Sequence, residues 1–311
     1  MEKYEIDDEF SALKKRKPIV IQSLLPTIQK IMNNPSIEED EDVKIEKGMI
    51  TSFDGEKIRL HVIKPIEVEG ELPGLFYIHG GGFAIKASPH HYHFCQKCAE
   101  EIPCKVFMVD YRLMPHHRFP VATEDVFAAY KWIVTYAQQL KINPEKIIVA
   151  GDSAGGNLTT VLSLMARDRG IQMPCYQMMI YPVTDRRMLT ESMEKYTDTH
   201  MWNAKLNAQM WEMYLGTEEE IEAIEHIEYA SPIEAESLKG LPPTYMEVAE
   251  FDCLRDEGIA YAERLKEEGI PVEFYELKGA VHGYDNAEDS PIIEEYYQKR
   301  IEAMKESLEN L

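Results

Sequence analysis

The feature that most constrains this chain is the repeated switch of its hydrophobic pattern between a period of two and a period near 3.6, an alternation few layered architectures accept. Short alternating runs at 43–50 and 57–64 flank Asp54-Gly55, a hairpin dipeptide, so an antiparallel pair opens the series. The apolar strand Leu75-Phe76-Tyr77-Ile78 follows, then a helix near 91–101, a strand at 105–110 and a helix near 121–140 beginning after Pro120. A strand at 146–150 leads into a helix from about 154. Strands at 175–181, 244–249 and 272–277, with helices near 255–268 and 291–309, complete the pattern. This alternation means a parallel sheet covered on both faces, which predicts an α/β fold with a mostly parallel eight-stranded sheet flanked by helices. Two stretches break the alternation, 1–42 and 187–229, the second rich in Met and aromatics such as Met201, Trp202 and Trp211. Together they are expected to form a helical cap over the carboxyl edge of the sheet. The core then comprises 43–186 and 230–311, and most cap side chains serve packing while a few line an adaptable pocket.

Composition excludes several classes of partner. The chain has 311 residues, 44% of them hydrophobic, enough for one large core. Its 33 basic residues stand against 55 acidic ones, and a net charge of −22 repels phosphate backbones and anionic headgroups. Neither nucleic acid nor stable membrane association is expected. The acidic runs 38–42 and 218–222 read as solvated surface. The opening MEKYEIDDEF has no basic start or apolar stretch of a signal peptide, and five cysteines are too few and too odd for a disulfide framework, so the expected compartment is the cytoplasm.

The strongest local motif is Gly151-Asp152-Ser153-Ala154-Gly155, lying between the apolar run Ile147-Ile148-Val149-Ala150 and a helical pattern. A serine on a tight strand-to-helix turn stands clear of the backbone, provided its neighbours Gly151 and Gly155 carry no Cβ to clash. A second signal, His79-Gly80-Gly81-Gly82-Phe83, brings bare amides close to a ligand, and neither a following Lys-Ser or Lys-Thr nor GxGxxG spacing supports a phosphate or dinucleotide loop. The amides of Gly81, Gly82 and Ala154 are the expected oxyanion donors, each worth about 3 kcal/mol. His79, Gly80 and Asp152 are assigned to support of the site. A serine nucleophile needs a base and a group orienting that base, and these occur in the order serine, acid, histidine. Asp252 follows the strand-like Tyr245 to Ala249, with Glu247 and Glu250 as weaker substitutes, and His282 lies in the loop Gly279–Gly283 after a strand ending at Leu277. Carboxyl ends of parallel strands are where such sites collect.

These motifs resemble those of the hormone-sensitive-lipase-like carboxylesterases, the bacterial family IV esterases related to arylacetamide deacetylases. The resemblance covers nearly everything from residue 70 onward: HGGGF at 79–83, DYRLMP at 110–115, GDSAGGNL at 151–158, GLPPTY at 240–245, DCLRDEG at 252–258 and VHGY at 281–284. It implies the α/β-hydrolase fold, a triad of Ser153, Asp252 and His282, an oxyanion hole in the glycine loop, a small-molecule ester substrate of short to medium acyl length, and no cofactor. It also implies a homodimer formed through the strand at 272–277. Deacetylation or amide cleavage on sugars, drugs or arylamides is the alternative chemistry. A binding protein on a dead scaffold, as in the plant gibberellin receptors that resemble this family without its histidine, is disfavoured because His282 is present. The sequence departs from the family pattern at Met114, His116 and Cys253, none of them in the triad. His90, His91, His93, Cys95 and Cys98 crowd together, yet no second half-site follows at zinc spacing, so no metal is expected and the two cysteines should face the core.

Overall fold

The computed structural model describes residues 3–15, 25–31, 42–66, 68 and 70–310, so most of 16–41 in the expected cap, and most of the acidic run at 38–42, lie outside the described residues. β1 (Val43–Thr51) and β2 (Lys57–Pro65) pair antiparallel from Val43 opposite Pro65 to Thr51 opposite Lys57, with Gly55 at φ +92° in the turn. Then come β3 (Leu72–Ile78), β4 (Lys105–Asp110), β5 (Ile142–Asp152), β6 (Tyr176–Ile180), β7 (Thr244–Phe251) and β8 (Val272–Val281). The sheet runs β1-β2-β4-β3-β5-β6-β7-β8; β2 meets β4 antiparallel and the five pairings after it are parallel, as the pattern predicts.

Successive side chains of a strand point to opposite faces, and the core divides accordingly. Phe76, Ile78 and Val149 pack with α3 (Val121–Thr135), α5 (Ala154–Asp168) and α9 (Arg255–Glu267). Leu75, Tyr77 and Ile148 pack with α2 (Pro89–Glu101) and α10 (Pro291–Glu309). Each fully buried large apolar side chain contributes about 1.5–3 kcal/mol, so these two layers hold the strand ends in place.

The structure differs from the sequence reading most at three boundaries. The helix expected over 121–140 is two helices, because Tyr136 closes α3 at φ −103°, ψ 18° before α4 (Ala137–Leu140) begins. β5 starts at Ile142 rather than at 146, since Leu72 of β3 pairs with Ile142. β8 passes Leu277 and runs to Val281, because the register shifts after Ala249 and Phe251 then pairs with Val281. His282 therefore projects directly from a strand end.

The stretch 187–229 holds α6 (Glu191–Lys195), α7 (Ala204–Leu215) and α8 (Glu218–Glu222), while α1 (Leu25–Ile31) precedes the sheet. Tyr214 of α7 stacks on Phe83 with centroids 4.0 Å apart. Gln29 of α1 donates to the carbonyls of Ala84 and Met114, both at 2.7 Å. Near the N-terminus, Lys3 and Tyr4 bind Asp198, and the Tyr4 ring meets Tyr196 and Phe251. Both stretches thus touch each other and the glycine loop after β3.

Candidate active site

Ser153 sits between β5 and α5 at φ 54°, ψ −119°, a conformation that L residues rarely adopt. Three bonds impose it: Ser153 N–H donates to the Ile180 carbonyl at 2.8 Å, and the Ser153 carbonyl accepts from Asn157 N at 3.0 Å and Val183 N at 3.2 Å. The flanking glycines are required by contact. A Cβ on Gly155 would lie 1.9 Å from the Ile78 carbonyl oxygen, and one on Gly151 2.5 Å from the same atom. Asn157, part of a glycosylation sequon, is wholly buried with its amide on the Val183 and Ala230 carbonyls.

Ser153 Oγ lies 2.8 Å from His282 Nε2, and His282 Nδ1 lies 2.7 Å from Asp252 Oδ2. Asp252 is fully buried and its other oxygen accepts the Leu254 N–H at 3.0 Å, which fixes the carboxylate plane. The substitutes considered for it have other partners: Glu250 accepts from Gly279 N, and Glu247 binds Arg300. Burial, reinforced by the Asp252 charge, pushes the adjoining Cys253 thiol well up, so it stays protonated.

The glycine loop turns at Gly81 (φ +109°), whose carbonyl accepts the Ala84 and Ile85 N–H groups. Gly81 and Gly82 share a cavity of about 200 Å³ with Ser153, His282, Met201 and Trp202. Ala154 is buried at the first position of α5, where helix amides are free and the dipole is positive. Trp202 lies over Gly82, and its ring centroid is 6.1 Å from that of His282. Met201, at φ 64°, reaches Gly283.

The support residues form a second layer. Asp152 accepts from the Tyr77 hydroxyl at 2.9 Å, Gly80 N at 3.0 Å and His91 Nε2 at 3.2 Å. Although burial pushes its carboxyl upward, the hydrogen bonds from His91 and Tyr77 hold it well below the usual carboxylate range. A Cβ on Gly80 would collide with that carboxylate at 2.2 Å. His79 stacks on Tyr111 at 4.4 Å, and burial lowers its imidazole from 6.5 to about 4. It is therefore neutral, with Nδ1–H donating to the Gly80 carbonyl at 2.7 Å.

Of the crowded histidines, His90 and His91 join Asp152 with ligand atoms within 4.8 Å of one another. The Ser88 N–H donates to His91 Nδ1 at 2.8 Å, which leaves the proton on Nε2, facing Asp152 as a donor rather than a lone pair. That tautomer does not suit a metal. Cys95 and Cys98 are buried in the core beneath α2, and burial raises both thiols well above their ordinary value. Of the departures, Cys253 and Met114 are buried and His116 is exposed. Sequence reasoning missed His91 as partner of Asp152, and missed Tyr181, whose ring meets His282 edge-on at 4.7 Å.

Residues 75–286 match the family described by the alpha/beta hydrolase fold. The chain is 37% identical to Esterase LipI of Mycobacterium tuberculosis over 70% of this chain and 67% of that one. It is 33% identical to the ethyl acetate hydrolase of Pseudomonas putida, over 79% and 77%. Among solved structures, a bacterial heroin esterase superposes with a TM-score of 0.88 at 32% identity, covering 98% of both chains. Among the described residues no helix is long and apolar enough to cross a membrane. With this fold, these relatives and a serine hydrogen-bonded to a buried histidine, the chain belongs to the α/β-hydrolase family as one of its carboxylic-ester hydrolases.

Proposed function

We propose that the enzyme cleaves short- to medium-chain acyl esters through a Ser153–His282–Asp252 triad and an acyl-enzyme intermediate. The observation that carries this reading is the unbroken hydrogen-bonded line from Ser153 Oγ through both His282 nitrogens to Asp252, with links of 2.8 and 2.7 Å. His282 takes the serine proton as Oγ attacks the ester carbonyl, while Asp252 holds the imidazole tautomer and stabilises the imidazolium. The Gly81, Gly82 and Ala154 amides receive the oxyanion. The alcohol leaves with the proton from His282; a water activated by the same histidine then releases the acid.

The cavity volume supports the acyl length. A cavity of about 200 Å³, walled by Met201 and Trp202, falls below the roughly 300–1,000 Å³ of sites that engulf drug-sized ligands. Hydrolysis of p-nitrophenyl esters from acetyl to palmitoyl tests the reading: turnover is expected to peak between acetyl and hexanoyl. A peak at palmitoyl, or inactivity on every ester, overturns it. The likeness to a heroin esterase favours a second reading, deacylation of bulkier ester alcohols, tested by comparing acetyl esters of large and small alcohols.

A further inference from the structure

Directly behind the site lies a buried ion cluster that the chemistry above does not use. Arg300 on α10 is 1% exposed, Glu247 0% and Asp285 3%. The guanidinium grips Glu247 with two bonds, Nε to Oε1 at 2.9 Å and Nη2 to Oε2 at 2.6 Å. Its other edge reaches Asp285, Nη1 to Oδ2 at 3.3 Å and Nη2 to Oδ1 at 3.1 Å. Glu247 lies on β7, the strand that ends at Phe251 just before Asp252; Asp285 lies three residues after His282. Asp285 also accepts from the Tyr181 hydroxyl at 2.8 Å, and the Tyr181 ring packs against the His282 ring. Tyr284, between Asp285 and His282, bonds Glu247 through its hydroxyl.

We infer that Arg300 is a positioning residue for His282: it ties the segment carrying the histidine to the strand carrying Asp252 and so sets how the imidazole meets its partners. The inference rests on the triad reading above. Two considerations select this role over simple stabilisation. A buried ion cluster is weak support for stability, since apolar side chains of like volume often serve as well, so stability alone does not account for it. Only a planar fork can bind two carboxylates on different elements at fixed angles, and this fork joins the two segments whose spacing decides the His282–Asp252 contact. A misplacement of about 1 Å at a reacting group can cost on the order of 10²-fold in rate.

The test uses Arg300→Lys, which keeps the charge and loses the fork, and Asp285→Asn, which keeps the shape and leaves the Arg300–Glu247 pair intact. Turnover of p-nitrophenyl acetate is counted per active site, titrated with a phosphonate ester, so that unfolded protein does not contribute. Both variants are expected to lose about tenfold or more in kcat per site with KM nearly unchanged. The low-field proton resonance of the His282–Asp252 hydrogen bond should broaden or vanish. A merely structural role would reduce the number of sites and leave kcat per site and the resonance as they were. If Arg300→Lys does not fold, Asp285→Asn decides. Wild-type kcat per site and resonance in Asp285→Asn overturn the proposal. Activity surviving in Ser153→Ala or His282→Ala would instead bring down the triad reading itself.

Discussion

At the scale of single residues, the site is held by contacts that leave no room for a methyl group. Gly155→Ala would drive a Cβ to 1.9 Å from one carbonyl oxygen and 2.7 Å from the next, both backbone, so nothing flexible can yield. A loss of about 3 kcal/mol or more is expected in urea unfolding, whereas Gly48→Ala, with nothing within 4 Å, should stay within about 0.5 kcal/mol of wild type. His79 carries a pH signature. Its folded imidazole titrates at about 4 and its unfolded one near 6.5, so between those values the unfolded chain binds the extra proton and stability falls as pH falls. The window amounts to about 3 kcal/mol, and His79→Gln should flatten the stability curve between pH 6.5 and 4. An equally steep curve in that variant would show that another group sets the slope. Ser153, Gly151 and Gly155 were legible because a tight turn demands those residue types in a row. The bond from His91 to Asp152 was not, because it joins residues 61 apart and only the folded sheet brings them together.

At the scale of elements, Met201 and Trp202, just before α7, form one wall of the cavity. Trp202 covers Gly82, so Trp202→Ala should open the acyl side and move the preferred p-nitrophenyl ester several carbons longer; an unchanged chain-length profile would remove Trp202 from the pocket wall. Tyr214 stacks on Phe83 and its hydroxyl meets Thr123 Oγ1 at 3.1 Å, fastening α7 to the glycine loop and α3. Tyr214→Ala removes that anchor at a cost of about 3–5 kcal/mol, read as a fall in melting temperature. All eight strands could be placed from hydrophobic period alone. Their ends could not: Gly279 reads as a breaker, while in the structure it continues β8 beyond a register shift that only the partner strand dictates.

At the scale of the whole molecule, the sheet order brings together residues that the sequence separates by 30 and 129 positions, because β5, β7 and β8 all deliver their carboxyl ends to one edge. The order serine, acid, histidine made the three legible in advance, since each follows a strand. Arg300 left no such sign; it occupies an ordinary helix, and its role depends on α10 packing behind β7. The proposed role of Ser153, activated by His282, is that of nucleophile. Its most direct measurement is the rate of p-nitrophenyl acetate hydrolysis by Ser153→Ala and His282→Ala, each shown by circular dichroism to be folded, beside the wild type. A loss on the order of 10⁴ to 10⁶ in kcat for both is predicted; a Ser153→Ala protein that keeps most of its esterase activity would contradict the account.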